Sequence, residues 1–195
     1  MRKMTLKWCR RILFASAGLT LAYCGFVTAD AWIFQRQESR GLELQLHNEK
    51  PATAVRLPPA ATGGMIGRLE IPRLRLSVIV IEGDSQRILR RAAGHVPGTS
   101  LPGEPGNMGI TGHRDTFFRP LRNIQRNDLI TFTTLQGEYR YRVVSTRVVM
   151  PDNGAVLDST GGEILTLVTC HPFYYVGPAP NRFIVRAERV PGGST

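Results

Sequence analysis

Three side chains in this sequence have the chemistry needed for acyl transfer through a thiol. Cys170 is the only cysteine outside the N-terminal segment, and it ends a predicted strand over residues 164–170. A cysteine thiolate is a strong nucleophile, and a strand that ends at a proline-containing loop presents its last side chain at the edge of the fold. Histidine supplies acid–base catalysis and arginine stabilises negative charge. Because His113 ends one predicted strand and Arg182 begins another, the sequence indicates an enzyme.

More than one histidine qualifies as the general base. His95 and His113 each follow a glycine at a loop or strand end, whereas His47 lies in a polar segment near the N terminus. His171 is adjacent to Cys170, but successive side chains of a strand point to opposite faces, so His171 is a poor partner for the thiol. Most single histidines are structural hydrogen-bonding residues. Periodicity alone does not choose between His95 and His113.

The N-terminal segment has the composition of a membrane anchor. Residues 12–34 are mostly apolar or small, with Asp30 as the only charge. They span roughly 34 Å as a helix, enough for a bilayer core of about 30 Å. The cations in residues 1–11 predict a cytoplasmic N terminus. Cleavage as a signal peptide near residues 27–29 is the alternative, but the apolar run continues through Trp32, which favours an uncleaved signal anchor.

The cysteine positions agree with an exported domain. Cys9 and Cys24 precede or lie within the apolar segment, so neither readily reaches Cys170, which remains an unpaired thiol. A segment rich in Pro, Ala, Thr and Gly then separates the anchor from the rest of the chain and is typical of a spacer. The predicted organisation is a basic cytoplasmic tail (1–11), a transmembrane signal anchor (12–34), a linker (35–63) and a catalytic domain (64–195).

The basic residues do not indicate a nucleic-acid-binding protein. The formal net charge is +10, but beyond the N-terminal cluster the excess is mostly arginine scattered over strands and loops. A nucleic-acid binder would concentrate its cations on one element with interleaved aromatic residues. The membrane surface is therefore the only partner that the charge supports.

The rest of the chain predicts a β-rich domain. Short runs of apolar and β-branched residues alternate with Pro- and Gly-containing turns, a pattern typical of a closed or nearly closed barrel. A short helix over residues 85–93, capped by Asp84, and the loops 94–106, 151–163 and 171–181 interrupt the strands. The predicted strands cover residues 65–71, 76–82, 107–113, 129–134, 138–150, 164–170 and 182–190.

The alternation within strands also predicts which side chains share a face. In the last strand the odd-numbered positions from 183 to 187 are all apolar, so they are predicted to face the core. Arg182 and Arg186 then project from the other face. By the same rule Cys170 shares a face with Val168.

Three motifs together resemble the sortases, which are membrane-anchored cysteine transpeptidases with an eight-stranded barrel. They are Gly112-His113-Arg114 after a short strand, the segment Thr166-Leu167-Val168-Thr169-Cys170, and Arg182 at the start of the final strand. The resemblance covers roughly residues 64–190, and the runs at 94–99 and 111–118 are most similar to class D sortases. It implies a closed seven- to eight-stranded β-barrel with short helices, preceded by one N-terminal transmembrane helix.

The resemblance also implies a reaction. Cys170 would attack the Thr carbonyl of a Leu-Pro-x-Thr-Gly/Ala sorting signal on a surface protein, and the acyl group would pass to an amine acceptor such as a cell-wall precursor. No cofactor, metal or nucleic acid is expected. The residues carried over are His113, Cys170 and Arg182 as catalytic residues, and His95, Thr169 and His171 as substrate-binding or supporting residues.

Other interpretations fit the residues less well. An L,D-transpeptidase is also an exported β-rich cysteine enzyme, but its arginine follows the cysteine at a different spacing. A non-catalytic surface-binding domain has no need of the three side chains at strand ends. A zinc site formed by His113, Cys170 and His171 is a poor fit, because the side chains of Cys170 and His171 point to opposite faces of the strand. The acids of the loop 151–163 are spaced like ordinary loop residues, which argues against calcium.

Overall fold

A computed structural model describes residues 2–48, 62–159, 161–175 and 177–191. A long N-terminal helix is followed by eight short strands, with a one-turn helix between the second and third strands. The elements are α1 (Arg2–Asn48), β1 (Met65–Ile71), β2 (Leu76–Glu82), α2 (Gln86–Leu89), β3 (Ala93–His95), β4 (Gly106–Thr111), β5 (Leu129–Thr134), β6 (Gly137–Val149), β7 (Glu163–His171) and β8 (Asn181–Arg189).

The strands close into a barrel in the order β1-β2-β3-β4-β7-β8-β6-β5, and β5 pairs with β1 to complete it. Most neighbours are antiparallel, but β2 with β3 and β4 with β7 are parallel. The parallel β4–β7 pair brings the C-terminal ends of both strands to one end of the barrel, where antiparallel β8 begins. The closed eight-stranded barrel confirms the predicted fold class.

Alternate side chains fill the barrel interior. Phe183, Val185 and Ala187 of β8 belong to the core or pack against it, as their spacing predicts. Each is paired across the sheet with Thr169, Leu167 or Leu165 of β7, and the two leucines are fully buried. The even-numbered positions of both strands, including Cys170 and Arg182, therefore lie on the outer face.

Two local predictions were wrong. Residues 93–95 form a strand, whereas the sequence assigns residues 94–106 to a loop. The short helix α2 covers only Gln86–Leu89 and is capped by Ser85, whose hydroxyl accepts the Ile88 N–H, not by Asp84. Three residues with two small side chains carry too little alternation to signal a strand. Ser85 and not Asp84 is the N-cap because the Ser85 hydroxyl accepts a hydrogen bond from the first turn of the helix.

The N-terminal helix is the one element among the described residues that is long and apolar enough to cross a membrane, and none of its most apolar stretch is buried. Its later turns pack on the barrel. Gln35 accepts the Ile79 N–H of β2 at 2.8 Å and donates to the Arg91 carbonyl at 2.7 Å. Asp30 forms an ion pair with Arg91 at 2.7 Å, and Leu42 is fully buried. The segment predicted as a linker thus begins as packed helix, and its remainder, residues 49–61, lies outside the described residues.

Candidate active site

Cys170 and Arg182 are direct partners across two strands. They form a register pair between β7 and β8, and both belong to the outward-facing set of positions. Paired residues of antiparallel strands have Cα atoms about 4.5 to 5.5 Å apart and side chains on the same face. Both side chains are partly buried, so they lie at the surface without full exposure. The thiol and the guanidinium therefore share one patch at the end of the barrel.

His113 follows β4, which is the other strand paired with β7. Thr111 pairs with Val168 in the parallel β4–β7 ladder, and the ladder continues past its last pair because the Gly112 N–H donates to the Val168 carbonyl at 3.2 Å. The Thr169 hydroxyl donates to the Gly112 carbonyl at 2.7 Å. The register that pairs Thr111 with Val168, continued by two residues, aligns His113 with Cys170. His113, just past the end of β4, therefore falls in one row with Cys170 of β7 and Arg182 of β8.

The backbone before His113 requires a glycine. A Cβ atom at Gly112 would lie 2.9 Å from the ring of Phe118, which is fully buried. The Phe118 N–H in turn donates to the His113 carbonyl at 3.1 Å. The tight packing of Phe118 under residue 112 fixes the path of the chain that carries His113.

The Arg182 side chain is held at the start of β8. Its Nη1 donates to the carbonyls of Ala179 and Asn181 at 3.3 and 3.1 Å. A guanidinium is planar and has five N–H donors, so one nitrogen bound to the backbone orients the rest of the fork. An arginine oriented in this way can stabilise the negative charge of an oxyanion that develops beside Cys170.

Arg114 ties the loop after Cys170 to the chain that carries His113. Its Nη1 donates to the Pro172 carbonyl at 3.0 Å, and its Nη2 donates to the carbonyls of Tyr175 and Gly177 at 2.7 and 3.0 Å. One side chain thereby holds three points of the loop between β7 and β8. Sequence reasoning missed this role, because backbone carbonyls far along the chain leave no pattern near residue 114.

His171 faces away from the thiol, as the strand alternation predicts. Its ring stacks on Phe183 at a centroid distance of 6.2 Å and meets the edge of Phe173 at 6.0 Å. These rings pack against the barrel core. The structure therefore separates His171 from the row that contains Cys170.

His95 lies buried on the inner face of the sheet. Its β3 neighbour Ala93 belongs to the core, and His95 forms a register pair with Glu82, whose carboxylate meets its Nδ1 at 2.7 Å. Its Nε2 lies 3.0 Å from both the Ser100 carbonyl and the Thr99 hydroxyl. The structure thus places His95 two strands from Cys170 and on the opposite face.

The hydrogen bonds around His95 account for its burial. The Thr99 hydroxyl donates to the Val96 carbonyl at 2.7 Å and accepts the Gly109 N–H at 3.1 Å. The Glu82 carboxylate meets one ring nitrogen of His95, and the Ser100 carbonyl and the Thr99 hydroxyl meet the other. Both nitrogens of the buried ring therefore have polar partners, as a structural histidine requires.

No group of three or more His, Cys, Asp or Glu side chains with metal-binding proximity occurs within the described ranges. Asp152 and Asp158 are exposed, and Glu163 pairs with Arg189 at 3.3 Å. That the loop 151–163 binds no calcium stays a prediction.

Comparisons with known proteins identify the family of this chain. The family model for the sortase domain matches residues 69–190. Sortase D of Bacillus subtilis (strain 168) is 35% identical over 130 residues, which is 66% of this chain and 66% of that protein. The match therefore leaves about a third of that relative's length uncovered.

Solved structures show the same fold. A Clostridium perfringens sortase D5 transpeptidase superposes with a TM-score of 0.70 over 83% of this chain and 99% of that one, at 24% identity. Sortase A from Corynebacterium diphtheriae gives a TM-score of 0.63 at 30% identity, over 68% of this chain and 64% of that one. The region that matches the family contains the whole row of His113, Cys170 and Arg182.

Proposed function

The chain belongs to the sortase family, and we propose that it is a membrane-anchored cysteine transpeptidase that cleaves a Leu-Pro-x-Thr-Gly/Ala sorting signal between Thr and Gly or Ala. The observation that carries the proposal is the register that aligns a thiol on β7 with a guanidinium on β8 and with the imidazole two residues past the end of β4. Those groups supply a nucleophile, a proton carrier and a fixed positive charge for one acyl-transfer step.

The first half-reaction forms a thioester. The Cys170 thiolate attacks the Thr carbonyl carbon of the sorting signal, and the oxyanion that develops is stabilised by Arg182. The C–N bond then breaks while His113, as imidazolium, donates a proton to the leaving amine. The released fragment leaves as a neutral amine, and the acyl group remains on Sγ.

The second half-reaction regenerates the enzyme. An amine acceptor attacks the thioester carbonyl, and neutral His113 takes a proton from the attacking nitrogen. The C–S bond breaks, the Cys170 thiolate is restored and the surface protein gains an amide bond to the acceptor. The proton count balances over the cycle, because His113 returns to the imidazolium form. Thr169 contributes indirectly through its bond to Gly112.

We also propose that α1 anchors the protein in the cytoplasmic membrane with the N terminus in the cytoplasm and the barrel outside. The cations before the apolar stretch and the single candidate span support this orientation. A membrane-impermeant maleimide added to intact cells should label Cys170 but not Cys9. Labelling of Cys9 under those conditions would reverse the orientation.

A transfer assay tests the proposed chemistry. The full chain in detergent is incubated with peptides of the type Leu-Pro-x-Thr-Gly or Leu-Pro-x-Thr-Ala and an amine such as triglycine, and the new amide product is measured. Cys170→Ala should give no product, whereas the matched variant Cys24→Ala should keep full activity. Transfer by the Cys170→Ala variant, or none by the wild type with any donor of this class, would refute the proposal.

A further inference from the structure

Two arginines of the barrel lie against the apolar part of α1. Together with Arg91, the side chains of Arg87 and Arg90 line a cleft of about 410 Å³, whose other wall includes Tyr23, Phe26 and Val27 of the helix. Arg87 and Arg90 are exposed, and within the described ranges their side chains form no hydrogen bond or ion pair. Asp30 also lines the cleft, but its carboxylate is paired with Arg91. Arg87 and Arg90 thus present guanidinium groups beside exposed apolar helix, a surface that suits a ligand with an anionic head and an apolar tail.

The cleft lies along the outer part of the segment 12–34 that is predicted as the membrane anchor. Ile12 and Asp30 are roughly 27 Å apart along a helix, close to the bilayer core thickness of about 30 Å. Asp30 and its partner Arg91 therefore mark one boundary. Phe26 and Tyr23 lie about one and two turns deeper, which places the cleft between the headgroup layer and the outer end of the acyl chains.

The barrel is held in this position by several contacts. Gln35 joins α1 to β2 and to the Arg91 carbonyl, and Arg91 also binds both carboxylate oxygens of Asp30, at 2.7 and 3.0 Å. Phe34 packs against the small cluster formed by Ile79, Ile81 and Ala92. These contacts hold the segment that carries Arg87 and Arg90 against the helix, although the two side chains themselves are exposed.

We propose that Arg87 and Arg90 bind the phosphate groups of anionic phospholipids, whose acyl chains lie along Tyr23, Phe26 and Val27. The inference rests on the membrane anchoring proposed above. Arginine forks match phosphate oxygens, and cationic side chains beside a membrane helix favour anionic over zwitterionic lipid. A neighbouring cleft of about 370 Å³ has Phe34, Ile81 and Ile88 in its wall and shares Arg87 and Arg91, so apolar and cationic surfaces meet on both sides of the arginines.

Native mass spectrometry of the full chain tests this site. The protein is released from nanodiscs that contain equal amounts of phosphatidylglycerol and phosphatidylcholine, and the lipid molecules retained on the protein are counted. The wild type should retain phosphatidylglycerol preferentially. The double variant Arg87→Ala/Arg90→Ala should bind it about tenfold or more weakly, because each cation near an anionic surface contributes measurably to binding. The double variant Arg87→Lys/Arg90→Lys should keep most of the preference for phosphatidylglycerol.

Matched controls separate this site from general charge and from the catalytic proposal. Arg126 and Arg142 are exposed arginines outside both clefts, and their double alanine variant should retain lipid like the wild type. Transfer to triglycine from a soluble peptide, measured in detergent on the same preparations, should be unchanged by the Arg87/Arg90 substitutions. Equal retention of the two lipids by the wild type, or equal loss in the Arg126/Arg142 control, would overturn the lipid site. A wild type that binds lipid but transfers no peptide would refute only the proposed function.

Discussion

Cys170 and Arg182 face each other as a register pair at the end of the β7–β8 ladder, on the outer face of the barrel. On the other side of the thiol, the parallel β4–β7 ladder leads directly to His113. The end of β4, which is distant in sequence from β7 and β8, thus brings its histidine into one row with the thiol and the guanidinium. The two-residue period of the strands decides which side chains enter this row.

Replacement of Arg182 separates charge from geometry. Arg182→Ala should lower kcat by about 100-fold or more, because an oxyanion donor of this kind acts mainly in the transition state. Arg182→Lys keeps the charge but not the planar fork, so its kcat should lie between those of the alanine variant and the wild type. Steady-state kinetics with a fluorogenic sorting peptide measures both. An alanine variant with unchanged kcat would exclude Arg182 from the chemical step.

Arg114 should be a positioning residue for the loop that follows Cys170. Arg114→Ala removes bonds to the carbonyls of Pro172, Tyr175 and Gly177, and kcat/KM should fall ten- to 100-fold as the loop loses its productive position. Arg122→Ala is the matched control, since Arg122 contacts the same loop through the exposed side chain of Tyr174, with its hydroxyl at 3.0 Å and its ring centroid at 5.5 Å, and not through a backbone carbonyl of the described residues. If the two variants lose activity equally, the backbone clamp has no special role.

His95 should be needed for stability and not for chemistry. His95→Gln disturbs the buried hydrogen bonds to Glu82 and Ser100 and should lower the free energy of unfolding by about 2 kcal/mol. Thermal unfolding measures this loss. Below the variant's transition the thiol should still form the acyl intermediate, whereas His113→Ala should keep the wild-type unfolding temperature and lose transfer. The assignment of the base would be reversed if the His95 variant were stable and inactive.

The Asp128 carboxylate should make the free energy of unfolding depend on pH in the acidic range. The Arg73 guanidinium, which donates to its carboxylate at 2.6 Å, holds the pKa of Asp128 below its ordinary value, and the Gln125 N–H adds to this effect. A depressed pKa contributes stability that is present above the unfolded pKa of about 3.9 and is lost as the pH falls through the folded value.

Asp128→Asn should therefore destabilise the protein at pH 7 by about 2 kcal/mol, with the difference from the wild type shrinking below about pH 4. Denaturant unfolding at several pH values measures it. Asp152→Asn, in an exposed loop, is the control and should change little at any pH. A difference that stays constant from pH 7 to pH 3 would disprove the role of the Asp128 carboxylate.

Much of the barrel could be predicted from sequence because its strands are rich in apolar and β-branched residues and several are bounded by glycine or proline, as β1 is by Pro72 and β2 by Gly83. The strands at residues 65–71, 76–82 and 129–134 match the prediction at both ends. The alternation in β7 and β8 also predicts that Cys170 and Arg182 lie outside the core and that His171 turns inward. These features depend only on local periodicity.

Other features depend on contacts between distant segments, which a single sequence does not encode visibly. The choice between His95 and His113 needs the register of β3 and β4, which shows that Ala93 and His95 face the interior while Thr111 continues toward the thiol. The docking of α1 on the barrel involves polar contacts made by Gln35 and Asp30. Neither the strand register nor these contacts leave a local pattern in the sequence.

The most direct test of the central claim is intact-mass analysis of the full chain in detergent after incubation with Leu-Pro-x-Thr-Gly and Leu-Pro-x-Thr-Ala peptides. We predict a mass increase equal to the acyl fragment through Thr, located on Cys170 by peptide mapping and removed by hydroxylamine or by an added amine. Cys170→Ala should show no adduct. A persistent adduct in that variant, or no adduct with any peptide while Cys170 still reacts with a thiol probe, would contradict the proposed thioester mechanism.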